Sequence, residues 1–138
     1  GLLKTLGDLG IGSIAFTPLA QGLLTNKYLR GVPAQSRANQ AKSLDRQKIT
    51  SELVENLNAL NEIANGRGQT LAQMALAWVL RDDRVTTALI GASSSQQVVD
   101  CAGAVDNLSF TDSELAEIDK LSGDLGINLW AKSSEIEE

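Results

Sequence analysis

The stretch Val85–Ala104, VTTALIGASSSQQVVDCAGA, contains the clearest fold signal in the chain. Its first six residues are β-branched or apolar and uncharged, a composition typical of a strand buried on both faces of a parallel sheet. Gly91 ends the predicted strand, and the serine-rich run after it resembles a helix start. A strand, a glycine turn and a helix in this order predict a βα unit.

The start of this predicted helix has two possible N-caps. Ser93 can form a capping box with Gln96, and Ser94 can form one with Gln97. The free N–H groups at a helix start attract anions, and ligands of α/β proteins gather at the carboxyl ends of the strands, so the pattern predicts a phosphate site. The alternative is a plain strand-to-helix turn, because the spacing matches neither a P-loop nor a dinucleotide fingerprint.

Composition defines the class of protein in general terms. The 138 residues include 43% hydrophobic and 21% charged residues, the balance of a globular domain. A net charge of -5 without a basic cluster argues against nucleic acid and anionic membranes as partners. No apolar run approaches the ~20 residues of a membrane span. The single cysteine, Cys101, excludes an internal disulfide and favours a reducing, cytoplasmic compartment.

The chain contains no histidine, which excludes the usual serine and cysteine triads and HExxH metal sites within this sequence. The sequence also starts inside a helical pattern without a methionine. We therefore expect it to be part of a larger protein.

A second βα-type strand is predicted near the start. Leucines at helical spacing predict a helix over residues 1–9, ended by Gly10 as a C-cap glycine. Ile11–Phe16 is then a short uncharged strand, closed by Pro18, which favours an extended Thr17.

Residues 21–49 interrupt the periodic pattern with a long, basic connection. Such a length exceeds ordinary α/β loops and indicates either a functional connection or a disordered one, and a charged surface loop would also explain its residues. If the strands are parallel, this loop leaves the same sheet edge as Gly91, where its basic residues can close over a phosphate.

Three further helices are predicted by their caps. Thr50 or Ser51 starts one that ends at Gly66 and Gly68, and Thr70 starts the next. The last covers Thr111–Leu121, followed by an acidic tail.

The predicted order of elements gives two βα units. A sheet of two such strands leaves the strand edges and the apolar faces of the helices uncovered. A (β/α)₈ barrel would cover them, with this α/β chain supplying the last two strands and their flanking helices.

Three runs resemble the carboxyl-terminal part of the aldo-keto reductase family, and within it the branch that contains the potassium-channel β-subunits. They are IAFTPLAQGLLTNKYL (14–29), TLAQMALAWVLRDDRVTTALIGAS (70–93) and SFTDSELAEIDKLSG (109–123). The resemblance implies a (β/α)₈ (TIM) barrel in which residues 1–138 are one partial domain. It also implies NADP(H) as cofactor and reduction of aldehydes or ketones, such as glyceraldehyde 3-phosphate or methylglyoxal-like compounds.

The resemblance also implies the cofactor-binding residues. The segment along the nicotinamide and pyrophosphate is Phe16, Thr17, Pro18, Leu19, Ala20 and Gln21. Lys27 and Arg37 match the basic residues that close over the cofactor. The adenosine end, with its extra phosphate, matches Gly91, Ser93, Gln97 and Asp100.

Three departures from the family pattern bear on these expectations. Asp100 and Cys101 stand where relatives have Glu-Asn, and Gln35 stands where the channel β-subunits have tyrosine. The family's catalytic Asp, Tyr, Lys and His lie on earlier strands, so we expect no catalytic residue here. Tyr28 beside Lys27 falls outside the catalytic position, and we expect it to pack the loop.

Two classes of function follow. One is the cofactor-binding part of a reductase that acts on a small carbonyl substrate and is completed by a missing amino-terminal barrel segment. The other is a non-catalytic nucleotide-binding or self-associating half-barrel.

Overall fold

The structure, a computed structural model, describes residues 1–33 and 49–123. Five α-helices and two β-strands are formed there: α1 (Leu2–Asp8), β1 (Ile14–Phe16), α2 (Ser51–Gly66), α3 (Leu71–Leu80), β2 (Thr87–Leu89), α4 (Ser95–Ala102) and α5 (Asp112–Leu121). Short 3₁₀ turns lie at Ala20–Gly22, Asn26–Tyr28 and Gly103–Asp106.

The two strands pair in parallel, as predicted. Phe16 is opposite Leu89 and Ile14 is opposite Thr87. Both strands are shorter than the sequence predicts. Ile11 is excluded from β1 because its N–H bonds to the Leu6 carbonyl at 2.9 Å. Val85 lies outside β2 because its N–H bonds to the Asp82 carbonyl at 2.9 Å, in a turn before the strand.

The expectation that β2 is buried on both faces is wrong within the described part of the chain. Ala88 is partly buried on the side where α3 packs against the strand, but Leu89 is 63% exposed. On the neighbouring strand, Ile14 and Phe16 are 67% and 57% exposed on the same face. The reason is that the helices cover one side of the sheet only.

Glycines end the first two helices as predicted. Gly10 has a φ of 65°, and its N–H bonds to the Gly7 carbonyl at 3.1 Å. Gly68 has a φ of 69°, and its N–H bonds to the Asn65 carbonyl at 3.0 Å. At both helix ends, the N–H of the residue after the glycine also bonds to a carbonyl in the last turn of the helix. Both ends are therefore Schellman motifs, which favour glycine at the left-handed position.

The helix starts follow the predicted caps. Thr50 caps α2, and its hydroxyl accepts the Leu53 N–H at 3.1 Å. Complete capping boxes start α3, from Thr70 and Gln73, and α5, from Thr111 and Glu114. These local bonds satisfy N–H groups that would otherwise lack partners in the first turn.

The core lies among α2, α3, α5 and the loop after β1, away from the sheet. Its buried members are Leu23, Tyr28, Leu53, Leu57, Leu60, Ala64, Leu71, Met74 and Ile118. Packing this loop on the helices fixes the start of the long connection. Within residues 1–33 and 49–123, no helix has both the length and the apolar character to cross a membrane.

Candidate functional site

The carboxyl ends of β1 and β2 meet at one edge of the sheet. Because Phe16 pairs in register with Leu89, Thr17 and Gly91 both follow the strands at this edge. The structure therefore brings two predicted site segments, residues 16–21 and the turn before α4, to the same side of the fold. This is the edge where ligands bind in parallel α/β proteins.

The turn after β1 has an unusual backbone. Thr17, Ala20 and Gln21 have φ values of 55°, 45° and 59°. The extended Thr17 expected from Pro18 is therefore wrong. The physical reason is a tight turn in which the Ala20 N–H donates to the Thr17 carbonyl at 2.9 Å. Left-handed non-glycine residues cost about 1–3 kcal/mol each and cluster at functional sites.

Gln21 has a buried polar atom at this turn. Its side-chain Oε1 has no hydrogen-bond partner within residues 1–33 and 49–123. A buried acceptor without a partner costs about 1–3 kcal/mol, so a ligand that supplies a donor would be favoured. The neighbouring residues Pro18, Leu19 and Ala20 are partly buried, whereas Thr17 is exposed.

Lys27 and Tyr28 lie on the 3₁₀ turn that follows. The Thr25 hydroxyl accepts a hydrogen bond from the Lys27 backbone N–H at 3.3 Å, and Lys27 is an exposed residue. Tyr28 is fully buried at 0% exposure in the core, with the Lys27 ammonium 5.8 Å from its ring centroid. The prediction that Tyr28 packs the loop is confirmed. A phenol enclosed by core residues is poorly placed to reach a carbonyl substrate.

The turn after β2 presents the start of α4 to solvent. Ser94 is the N-cap, and its hydroxyl accepts the Gln97 N–H at 3.3 Å. Of the two alternatives, Ser94 with Gln97 is therefore the cap, but the predicted box is incomplete. The Gln97 Oε1 instead accepts from the Ser93 N–H at 2.8 Å and the Ser93 hydroxyl at 3.1 Å. Apart from its own chain neighbours, no described residue comes within 4 Å of a Cβ placed on Gly91, so the described residues leave the backbone there open.

Asp100 is one turn further along α4. Its Oδ1 accepts from the Gln96 side-chain amide at 2.8 Å, and its carbonyl accepts from the Gln73 side-chain amide at 2.8 Å. Partial burial, followed by the charge of Asp100, raises the pKa of the neighbouring Cys101 thiol. The thiol therefore stays protonated at neutral pH. The sequence identified Gln73 only as a helix cap and missed its contact with α4.

The groups at this edge suit a phosphate-bearing ligand. The N–H groups at the start of α4 are the type of donor that binds phosphate, and so is the exposed Lys27 ammonium on the loop after β1, whereas the Ser93 hydroxyl donates to Gln97. Arg37 and Gln35 lie outside the described residues. Within the described ranges, no group of three Asp, Glu or Cys residues is arranged to hold a metal ion.

The fold and this sheet edge define the class of protein: it is an α/β protein with parallel strands and polar turns at their carboxyl ends. The Aldo/keto reductase family matches residues 1–122. The chain belongs to the aldo-keto reductase family, which confirms the resemblance seen in the sequence.

Two relatives extend this assignment. Over 139 aligned residues, the chain is 50% identical to L-glyceraldehyde 3-phosphate reductase of Escherichia coli strain K12. It is 49% identical to the protein of the same name in Escherichia coli O157:H7. Each alignment covers 98% of this chain and 40% of the relative, so the chain spans about two-fifths of their length.

Proposed function

We propose that this chain is the cofactor-binding, carboxyl-terminal part of an NADP(H)-dependent reductase of aldehydes or ketones. The observation that supports it most is the parallel, in-register pairing of β1 with β2, which directs two polar turns to one sheet edge. In this proposal, residues 1–138 supply the last two strands of a (β/α)₈ barrel, and the preceding strands cover the exposed face at Ile14 and Leu89.

In this proposal, the two turns bind different parts of the cofactor. Residues 16–21 lie along the nicotinamide and pyrophosphate, and the Gln21 amide, whose oxygen is buried without a described partner, accepts a hydrogen bond there. Gly91, Ser93 and the start of α4 bind the adenosine end with its extra phosphate. Gln97 holds Ser93 in place through the bonds at 2.8 and 3.1 Å, and Asp100 lies on the same side of the helix, three residues later.

The basic residues close the site. Lys27 supplies a point charge and Arg37 a planar fork, the two ways in which side chains bind phosphate. The bound cofactor supplies the hydride for carbonyl reduction. We place no catalytic residue in this chain, because its only tyrosine is buried in the core.

The substrate class is a small carbonyl compound. Fifty per cent identity to a protein named L-glyceraldehyde 3-phosphate reductase supports a short aldehyde, glyceraldehyde 3-phosphate first among those to test. Methylglyoxal-like compounds are the next group, since the same hydride chemistry applies to them.

A second candidate function is a self-associating, non-catalytic module. The observation in its favour is the apolar sheet face, where Ile14, Phe16 and Leu89 are 67%, 57% and 63% exposed. A second copy of the chain could bury this face, and sedimentation of the purified chain distinguishes a dimer from a monomer.

The experiment that tests the reductase proposal is a fluorescence titration of the purified chain with NADPH, with carbonyl-dependent NADPH oxidation followed in the same sample. Circular dichroism verifies that the chain is folded. Binding without turnover is the expected result. A folded chain that binds neither NADPH nor NADH would contradict the proposal, and turnover would contradict the assignment of chemistry to other strands.

A further inference from the structure

The Gln73 side chain joins the start of α3 to the last turn of α4. Its Oε1 accepts the Thr70 N–H at 2.9 Å, which completes the capping box. Its amide nitrogen donates to the Asp100 carbonyl at 2.8 Å. One amide group therefore serves two helices at once.

The chain leaves space for this amide by having glycine at position 103. A Cβ added to Gly103 would lie 2.7 Å from the Gln73 Nε2, a distance that real Cβ atoms do not show. The φ of Gly103 is -61°, so its backbone would accept any residue. A side chain at position 103 would therefore displace the Gln73 amide without straining the backbone.

Within the described ranges, helix α4 has little apolar contact before the turn that follows it, where Ala104 is buried. None of its residues is buried, and all residues from 91 to 100 are exposed. Cys101 is the partly buried member on its last turn. Beyond the packing of the turn at Ala104 on α3, the polar bond from Gln73 is the side-chain hydrogen bond described between α3 and α4, and we expect it to contribute to the orientation of α4.

We propose that Gln73 is a positioning residue of the cofactor site: by holding the Asp100 backbone, it fixes the α4 helix whose start binds the adenosine end. This inference rests on the proposed function. Gln73 does not touch the cofactor itself. It acts through the direction in which α4 presents Ser93, Gln97 and Asp100.

The test uses Gln73→Glu in the full-length protein. A glutamate keeps the oxygen that accepts the Thr70 N–H, and Glu is a favoured capping-box residue. It removes the donor and sets a carboxylate against the Asp100 carbonyl. We expect the Kd for NADPH and for adenosine 2′,5′-bisphosphate to rise by about three- to tenfold, the range that one hydrogen bond represents.

A second readout does not depend on any cofactor. If α4 loosens, the Cys101 thiol becomes more accessible, so its labelling by a maleimide, followed at the Cys101 peptide by mass spectrometry, should accelerate. Gly103→Ala should produce both effects, because its methyl group displaces the Gln73 amide without a change of charge.

The matched control is Thr70→Ala. It removes the hydroxyl that caps α3 and lowers the melting temperature, but it leaves both Gln73 amide contacts possible. Cofactor affinity and Cys101 labelling should match those of the unmodified protein.

The outcomes separate this inference from the proposed function. Faster labelling together with weaker NADPH binding in both Gln73→Glu and Gly103→Ala supports the positioning role. Unchanged labelling, or unchanged affinity in a protein that binds NADPH, overturns it. If the unmodified folded protein does not bind NADPH, the proposed function fails, whatever the labelling shows.

Discussion

Arg67 and Glu114 form an ion pair in which the guanidinium Nη1 lies 3.0 Å from the carboxylate Oε1, and it joins the end of α2 to the start of α5. The Arg67 side chain is only 4% exposed and stacks 3.7 Å from the ring centroid of Phe110. Arg67 also donates to the Gln69 Oε1 at 2.9 Å. This cluster links the end of α2 to the segment that leads into α5.

The first prediction concerns this ion pair. Glu114→Gln keeps a capping-box residue but removes the charge beside the nearly buried Arg67, and it should lower the free energy of unfolding by about 1–2 kcal/mol at neutral pH. Chemical denaturation measures the change. Glu117→Gln, an exposed glutamate on the same helix, is the matched control and should change little.

The effect of Glu114→Gln should also depend on pH. The N–H of Thr111, and then Arg67, lower the pKa of Glu114 below its ordinary value of 4.5. Because the folded-state pKa is below the unfolded one, the stabilisation is complete above pH 4.5 and is lost as the pH falls through the folded-state value. The difference between variant and parent should therefore shrink below pH 4.5. A constant difference would contradict the ionic contribution.

The second prediction compares two neighbouring glycines. Gly68 has a φ of 69°, so Gly68→Ala should destabilise the protein by about 1–2 kcal/mol through left-handed strain. Gly66 is the last residue of α2, and no residue described outside its own helix comes within 4 Å of an added Cβ, so Gly66→Ala should stabilise the protein by up to about 1 kcal/mol. Thermal unfolding measures both. Changes of the same sign would be at odds with the observed helix end.

The third prediction tests whether earlier strands of a barrel cover the exposed sheet face. Ile14 is 67% exposed in this chain, and Ile14→Thr keeps a β-branched side chain. Stability of the isolated chain should barely change. In a full-length barrel, where earlier strands bury this position, the same substitution should cost about 1–3 kcal/mol. Equal effects in both contexts would argue against barrel closure over this face.

The fourth prediction concerns the basic loop. Replacing Lys27 and Arg37 together by Ala should weaken NADPH binding by about tenfold, and more than NADH binding, if they contact the extra phosphate. Arg30→Ala, an exposed basic residue of the same loop, is the control. Equal weakening for both cofactors would move Lys27 and Arg37 to the shared pyrophosphate.

Much of the candidate site could be expected from local patterns and from the family resemblance. Gly91 and the serines after it predicted a strand, a turn and a helix start, and the structure has all three. The details at the site differed: Gln97 bonds back to Ser93, one residue before the cap. That geometry depends on how the turn enters the helix, which spacing alone does not specify.

The sequence by itself determined the helix caps at Thr70 and Thr111 and the glycine stops at Gly10 and Gly68. These features depend on hydrogen bonds between residues a few positions apart, so they can be predicted without knowledge of the rest of the fold.

The tertiary structure alone decided the position of the core, the left-handed backbone of Thr17 and the bond from Gln73 to Asp100. Each of these depends on packing or on a turn that joins separate elements. Since Gln73 and Asp100 are 27 residues apart, only the folded arrangement of α3 and α4 brings the amide to its carbonyl partner.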